Sequence, residues 1–152
     1  MKILVLNGPN LNRLGLREPD HDGTTTLEQL EASLSAVADA LGIEVVCRQS
    51  NSEGTLIDWL HQADTTVDGV LLNAAAYTHY SYSLRDAIAS IEPPVVEIHI
   101  SHVHRREAFR AHSVIARVCI GGIWGLGVDG YEWGLRALHR QLQDESEGAA
   151  SG

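Results

Sequence analysis

Lysine is almost missing from this chain: Lys2 is the only one among 152 residues, and it precedes the first apolar run. That makes a lysine Schiff base a poor basis for chemistry here. Cysteine is nearly as scarce. Cys47 and Cys119 sit in apolar runs that read as strands, with no CxxC pair. They read as small buried hydrophobes, not as a disulfide framework or a metal site. Long hydrophobic runs are also lacking. The run in "MKILVLNGPN" is far shorter than the roughly 20 residues a membrane span needs, and no signal-peptide cleavage pattern follows it, so a cytoplasmic protein is expected. Positive charge is short as well. The formal net charge is −9, and neutralising phosphates takes a basic face, which argues against a general nucleic-acid binder. No Walker sequence occurs, so P-loop phosphoryl transfer has no support.

What basic character exists is concentrated. Arg105, Arg106 and Arg110 cluster beside His99, His102, His104 and His112. Guanidinium groups hold carboxylate or phosphate bidentately, so in an acidic protein such a cluster suits a small anionic ligand. A solvated helical turn is the plainer reading of the same residues. The histidines do not read as a metal site, because they lack helical i, i+4 pairing and no cysteine or acid completes a set. A histidine that moves a proton or donates a hydrogen bond near neutral pH fits better. "GLGVDG", residues 125–130, matches G-x-G-x-x-G between a strand and a helix, but no further strand with an acid follows it. It reads as a tight turn and not as a dinucleotide fingerprint.

Apolar periodicity organises the rest. "KILVL", "EVVCR", "GVLLN", "PVVEIHI" and "RVCIGGI" read as strands. Between them, Leu27, Leu30, Leu34, Val37 and Leu41 form one helical stripe, which Thr25 and Glu28 open as a capping box and Gly42 ends. "GTLIDWLHQA", "SLRDAIAS" and "YEWGLRALHRQL" are further helices, and "DESEGAASG" reads as a disordered tail over 144–152. Strands alternating with helices predict βαβ units and a parallel sheet covered on both faces. Five strands in this length fit one flavodoxin-like, doubly wound α/β domain over 1–143, strand order 2-1-3-4-5. Ligands of such sheets bind beyond the carboxyl ends of the strands. The segments leaving those ends are "NGPNLNRLG", "QSNSEG", "NAAAYTHYS", "HISHVHRREAFR" and "GIWGLGVDG", and four of the five are rich in Asn, His, Arg or Ser. That concentration predicts a site.

These loops also carry a resemblance. "NGPNLNRLG", "REP", "RQSN-EG-LIDWLH", "N-AAYTH-S--LRDA", "VVEIHIS" and "HRREAFR-HS" resemble the type II 3-dehydroquinate dehydratases from about Ile3 to Leu138. The resemblance implies a lyase of the shikimate pathway of aromatic amino acid biosynthesis. Such an enzyme uses no cofactor, binds a small carboxylate substrate and assembles as a homo-dodecamer, a tetramer of trimers. It eliminates water in the anti sense from 3-dehydroquinate through an enolate. By position, the resemblance makes Asn12 the holder of a water at the enolate oxygen. Asn73 and the amides of Ile100 and Ser101 would bind the substrate carboxylate, with Ala75 in the same binding set. His79 and Arg110 would hold ring hydroxyls. His99 would protonate the departing hydroxyl with Glu97 orienting it. Arg17 and Arg106 would close over the site, and Asp86 would reach a neighbouring subunit's His79.

One position departs from the pattern. The family's first loop reads REP-x-x-Y-G, and its tyrosine is the base; here "REPDHDG" puts Asp22 there. A tyrosinate is basic near pKa ~10 and an aspartate near about 4, and a neighbouring Arg17 would lower the latter further. Asp22, His21, a water or Tyr80 are the possible replacements. Tyr80 and Tyr82 also read as trimer-interface aromatics. His102 stands where asparagine is usual, and Ser52 where histidine is usual. The resemblance therefore leaves three expectations: a 3-dehydroquinate dehydratase slowed by the change, a diverged enzyme acting on another small cyclic carboxylate or β-hydroxy ketone, or a non-catalytic binding homologue.

Overall fold

A computed structural model describes residues 1–16 and 18–151 of the chain. Five strands, β1 (Lys2–Asn7), β2 (Glu44–Gln49), β3 (Gly69–Asn73), β4 (Val95–His99) and β5 (Gly121–Trp124), form one sheet in the order β2-β1-β3-β4-β5. Every neighbouring pair is parallel. The helices are α1 (Pro19–Asp22), α2 (Leu27–Leu41), α3 (Glu53–Thr66), α4 (Tyr82–Ala89) and α5 (Asp129–Ser151). This is the doubly wound, flavodoxin-like arrangement that the alternation of strands and helices predicts.

The strands read as unbroken apolar runs because both faces of the sheet are covered. Side chains alternate across β1, so Leu4 and Leu6 join the core beneath α3 and α4, while Ile3 and Val5 join the core beneath α2 and α5. In the first core Leu56, Leu60 and Ala63 of α3 pack with Leu84, Ala87 and Ile88 of α4. In the second, Leu30 and Leu34 of α2 pack with Tyr131, Leu135 and Leu138 of α5. Each fully buried leucine contributes about 1.5–3 kcal/mol, so the two layers supply most of the driving force. Gly134 lets α5 settle onto the sheet: a Cβ there would lie 2.7 Å from the Cδ1 atoms of Ile98 and Leu71.

Three local expectations change. The capping box that opens α2 is Thr26 with Gln29, one residue later than Thr25 with Glu28. Thr26 Oγ1 accepts the Gln29 N–H at 3.2 Å and Gln29 Oε1 accepts the Thr26 N–H at 3.0 Å. The last strand is shorter than "RVCIGGI". Residues Ala116–Val118 form a 3-10 turn whose first N–H is capped by Ser113 Oγ, and Ile120 N–H is the first to bond β4. Cys119 therefore precedes β5, unlike Cys47, which lies in β2; burial pushes both thiols up to about 12. Finally, α5 continues to Ser151 through the segment whose composition predicts a disordered tail. A polar, acidic sequence has nothing to bury, but Asp, Glu and Ala still propagate an existing helix, and Gln141 donates to Glu145 one turn on at 3.2 Å. No helix among the described residues is long and apolar enough to cross a membrane.

Candidate active site

The register delivers polar residues to one edge. Asn7 pairs with both Gln49 and Asn73 at the carboxyl ends of β1, β2 and β3, and His99 ends β4 opposite Trp124. β1 and β3 flank the point where strand order reverses, which is where open parallel sheets leave a crevice. Gly8 and Ala74 bring the first and third loops into contact: Gly8 N–H donates to Asn73 O at 2.8 Å, and a Cβ on Gly8 would lie 2.8 Å from the Ala74 oxygen. Asn10 turns the chain in the left-handed region, φ 69°, and its N–H donates to Asn51 Oδ1 at 2.9 Å.

A cavity opens at this edge. Its walls include Asn10, Leu11, Asp22, Asn73, Ala75, His79, His99, Ile100, Ser101, Arg106 and Arg110. Nine of these come from positions named by the sequence reading. Glu97 lies one layer behind, on a larger neighbouring cavity of about 310 Å³ bordered by Trp124, Ile123 and the exposed β5 edge. His99 and Arg110 border both cavities; Asn73, Ser101 and Arg106 line the smaller one, and Glu97, Thr78 and Ser113 line the larger.

The centre of the site is a histidine–carboxylate pair. His99 Nε2–H donates to Glu97 Oε2 at 2.6 Å. Glu97 is 6% exposed and also accepts from Thr78 Oγ1 at 2.5 Å and from Ser113 Oγ at 2.9 Å. Burial pushes its pKa up, yet the hydrogen bond and charge of His99 and the two hydroxyls outweigh burial and hold it below the usual carboxylate value. An ionised carboxylate here is the acceptor for the His99 Nε2–H, which leaves Nδ1 outside this bond. Thr78 and Ser113 escape a reading of the sequence because they stand 19 and 16 positions from Glu97, and no local spacing marks them.

His79 follows the opposite logic. Its Nδ1–H donates to the His112 carbonyl at 2.7 Å. Burial lowers its pKa, helped by the charges of His99 and Arg110 and opposed by the His112 bond and Glu97. The neutral ring then presents Nε2 as an acceptor for a hydroxyl. Arg106, whose side chain is 6% exposed, donates through Nη1 to Ser101 Oγ at 3.1 Å and through Nη2 to Glu18 Oε2 at 2.9 Å. Arg110 is held by Glu107 at 2.8 Å and lies over the Phe109 ring at 4.8 Å.

The segment expected to act as a lid over the site includes a one-turn helix, α1, that starts after Glu18 in the left-handed region at φ 41° and has Pro19 in its first turn. Asp22 ends it, 7% exposed and in the cavity wall, whereas His21 is exposed. Tyr80, at 59% exposed, does not line the cavity. Among the described residues, Asn12 and Asp86 fall elsewhere. Asn12 is exposed beyond the cavity wall, because the 3-10 turn Leu11–Arg13 buries Leu11 instead. Asp86 is exposed on α4, beside Ile57, His61 and Ser83, away from the cavity. Arg17 lies outside the described residues.

The family model for class II dehydroquinases matches residues 1–139. The chain belongs to the class II dehydroquinases. It is 56% identical over 138 residues to the 3-dehydroquinate dehydratase of Anoxybacillus flavithermus, a match covering 91% of this chain and 93% of that one. Among solved structures, the type II dehydroquinase of Butyrivibrio crossotus superposes with a TM-score of 0.89 at 46% identity, covering 91% of this chain and 97% of that one. The enzyme of Propionibacterium acnes gives 0.89 at 45%, covering 91% and 96%. In this dehydroquinase the matched span includes every strand and all the residues that line the cavity.

Proposed function

We infer that this dehydroquinase is a 3-dehydroquinate dehydratase, a hydro-lyase of the shikimate pathway. The observation that carries the reading is the His99–Glu97 pair at 2.6 Å, with His99 in the wall of a cavity that also collects Asn73, Ile100, Ser101 and two arginines, and Glu97 behind it. Asn73 and the Ile100 and Ser101 amides bind the substrate carboxylate, a fit between N–H donors and an anion. His79 Nε2 accepts from a ring hydroxyl and Arg110 supplies a second contact. A base removes the proton beside the ketone and the electron pair forms the enolate. The enolate then re-forms the ketone with a conjugated double bond as the β-hydroxyl leaves, taking the proton that His99 delivers from Nδ1. Glu97 stabilises the imidazolium before that transfer.

The base is the open element of this chain, because Asp22 stands where the family pattern has tyrosine. Asp22 is the lid group in the cavity wall and His21 is not, which favours Asp22, directly or through a water, as the proton acceptor. Arg17 and Arg106 close over the substrate. Residues 1–143 form the catalytic domain of a cytoplasmic homo-dodecamer in which the exposed Asp86 meets the site of a neighbouring subunit.

Following enone formation from 3-dehydroquinate tests the reading. Turnover by the native chain that is lost in His99→Ala supports it, and activity gained by Asp22→Tyr assigns the lid position. A native chain and an Asp22→Tyr variant that are both inert would sink the assignment. Sedimentation analysis of the native chain and of Asp86→Ala tests the assembly.

A further inference from the structure

Tyr131 is the one large polar side chain of the core beneath α5, fully buried among Ile3, Val5, Leu71, Ile98 and Leu135. A phenylalanine would fill that space, and a buried hydroxyl costs stability unless it is hydrogen-bonded. Its bonds lead to the site. Tyr131 O–H donates to Asn7 Oδ1 at 2.6 Å and accepts from Asn73 Nδ2 at 2.8 Å. Burial raises the phenol's pKa, so it keeps the single proton this arrangement needs.

The direction of each bond is fixed by the next. The Ala75 N–H donates to Asn73 Oδ1 at 3.0 Å, which places Nδ2 toward Tyr131. Tyr131 must then accept from Asn73, so its own proton goes to Asn7. Asn73 is left with a second Nδ2 hydrogen, and Asn73 lines the cavity. Asn7 meanwhile holds a buried Nδ2 with no hydrogen-bond partner among the described residues, a cost an apolar residue would avoid. Asn7 and Asn73 are register partners on β1 and β3, so the hydroxyl ties together the two strands that flank the crevice.

We propose that Tyr131 is a positioning residue: through Asn7 and Asn73 it sets the Asn73 amide to present a donor to the substrate carboxylate. The role rests on the reading of Asn73 as a carboxylate ligand. It predicts a specific division of effects. Tyr131→Phe raises KM for 3-dehydroquinate by about tenfold with kcat changed much less, because the proton-transfer pair His99–Glu97 is untouched. Asn7→Val, which removes the acceptor of the Tyr131 proton, raises KM in the same way and provides an independent arm if Tyr131→Phe does not fold. In the Asn73→Ala background, Tyr131→Phe adds no further change in KM, whereas a merely structural tyrosine would add its effect in full. An unchanged KM in folded Tyr131→Phe and Asn7→Val, beside a raised KM in Asn73→Ala, overturns the Tyr131 role alone. An unchanged KM in Asn73→Ala overturns the carboxylate reading and the Tyr131 role with it.

Discussion

Glu18 and Arg106 are joined across 88 positions of chain, Oε2 accepting from Nη2 at 2.9 Å. Arg106 also donates to Ser101 on the cavity wall, so one guanidinium connects the lid segment with the floor it covers. The Glu18 carboxylate is 40% exposed and the Arg106 side chain 6%. The arginine end is therefore desolvated, while the lid end can be replaced by water.

Glu18→Gln keeps an oxygen acceptor for the Arg106 guanidinium, so global stability is expected to fall by only about 1–2 kcal/mol. It should nevertheless loosen the lid. Limited proteolysis should cut between residues 14 and 24 faster in the variant, and kcat/KM should fall several-fold. Equal cleavage rates would show that the contact does not hold the lid.

The His99–Glu97 pair predicts graded losses. His99→Ala should reduce kcat by roughly 10²–10⁴ with folding intact, the range for removing a general acid. Glu97→Gln keeps an acceptor but removes the charge that favours imidazolium, so its loss should be smaller and should shift the pH–rate profile. A profile identical to that of the native chain would remove Glu97 from the proton-transfer step.

Stability should fall on acidification, and the sign follows from two groups. Glu97 titrates below its ordinary value of 4.5 in the folded chain. Its contribution is whole above the unfolded value and is lost as pH falls through the depressed folded one. His79 is held below 6.5, chiefly by burial. Below 6.5 the unfolded chain takes up its proton first, which also favours unfolding. Thermal melting of Glu97→Gln should therefore show a shallower slope than the native chain between about pH 5 and 3. Parallel slopes would contradict this account.

Gly8→Ala tests the approach of the first and third loops. The added Cβ would meet the Ala74 backbone at 2.8 Å from O and 2.9 Å from C, atoms that cannot rotate away. A loss of about 1–3 kcal/mol in chemical denaturation is expected, with a raised KM because Asn73 is displaced with its neighbour. A variant as stable as the native chain would mean that the loops can separate freely.

The sequence by itself determined the sheet and its edge. Apolar runs such as "GVLLN" read as strands covered on both faces, and an α-helix follows all of them except β4, which 3-10 turns join to β5. That fixes a parallel, doubly wound sheet, and with it the edge at which Asn73, His99 and Arg106 emerge. The pairing of Glu97 with His99, two residues apart on β4, was expected from the family resemblance. Only the tertiary structure decided how those groups are held. Thr78 and Ser113 reach Glu97, Glu18 reaches Arg106, and Tyr131 reaches Asn7 across 124 positions. No periodicity encodes such contacts, because each depends on where two elements pack and on which hydroxyl or carboxylate then faces a buried partner. The same limit applies to α5, whose polar end continues as helix to Ser151: composition says whether a segment has a face to bury, but helix propagation needs only the turn before it.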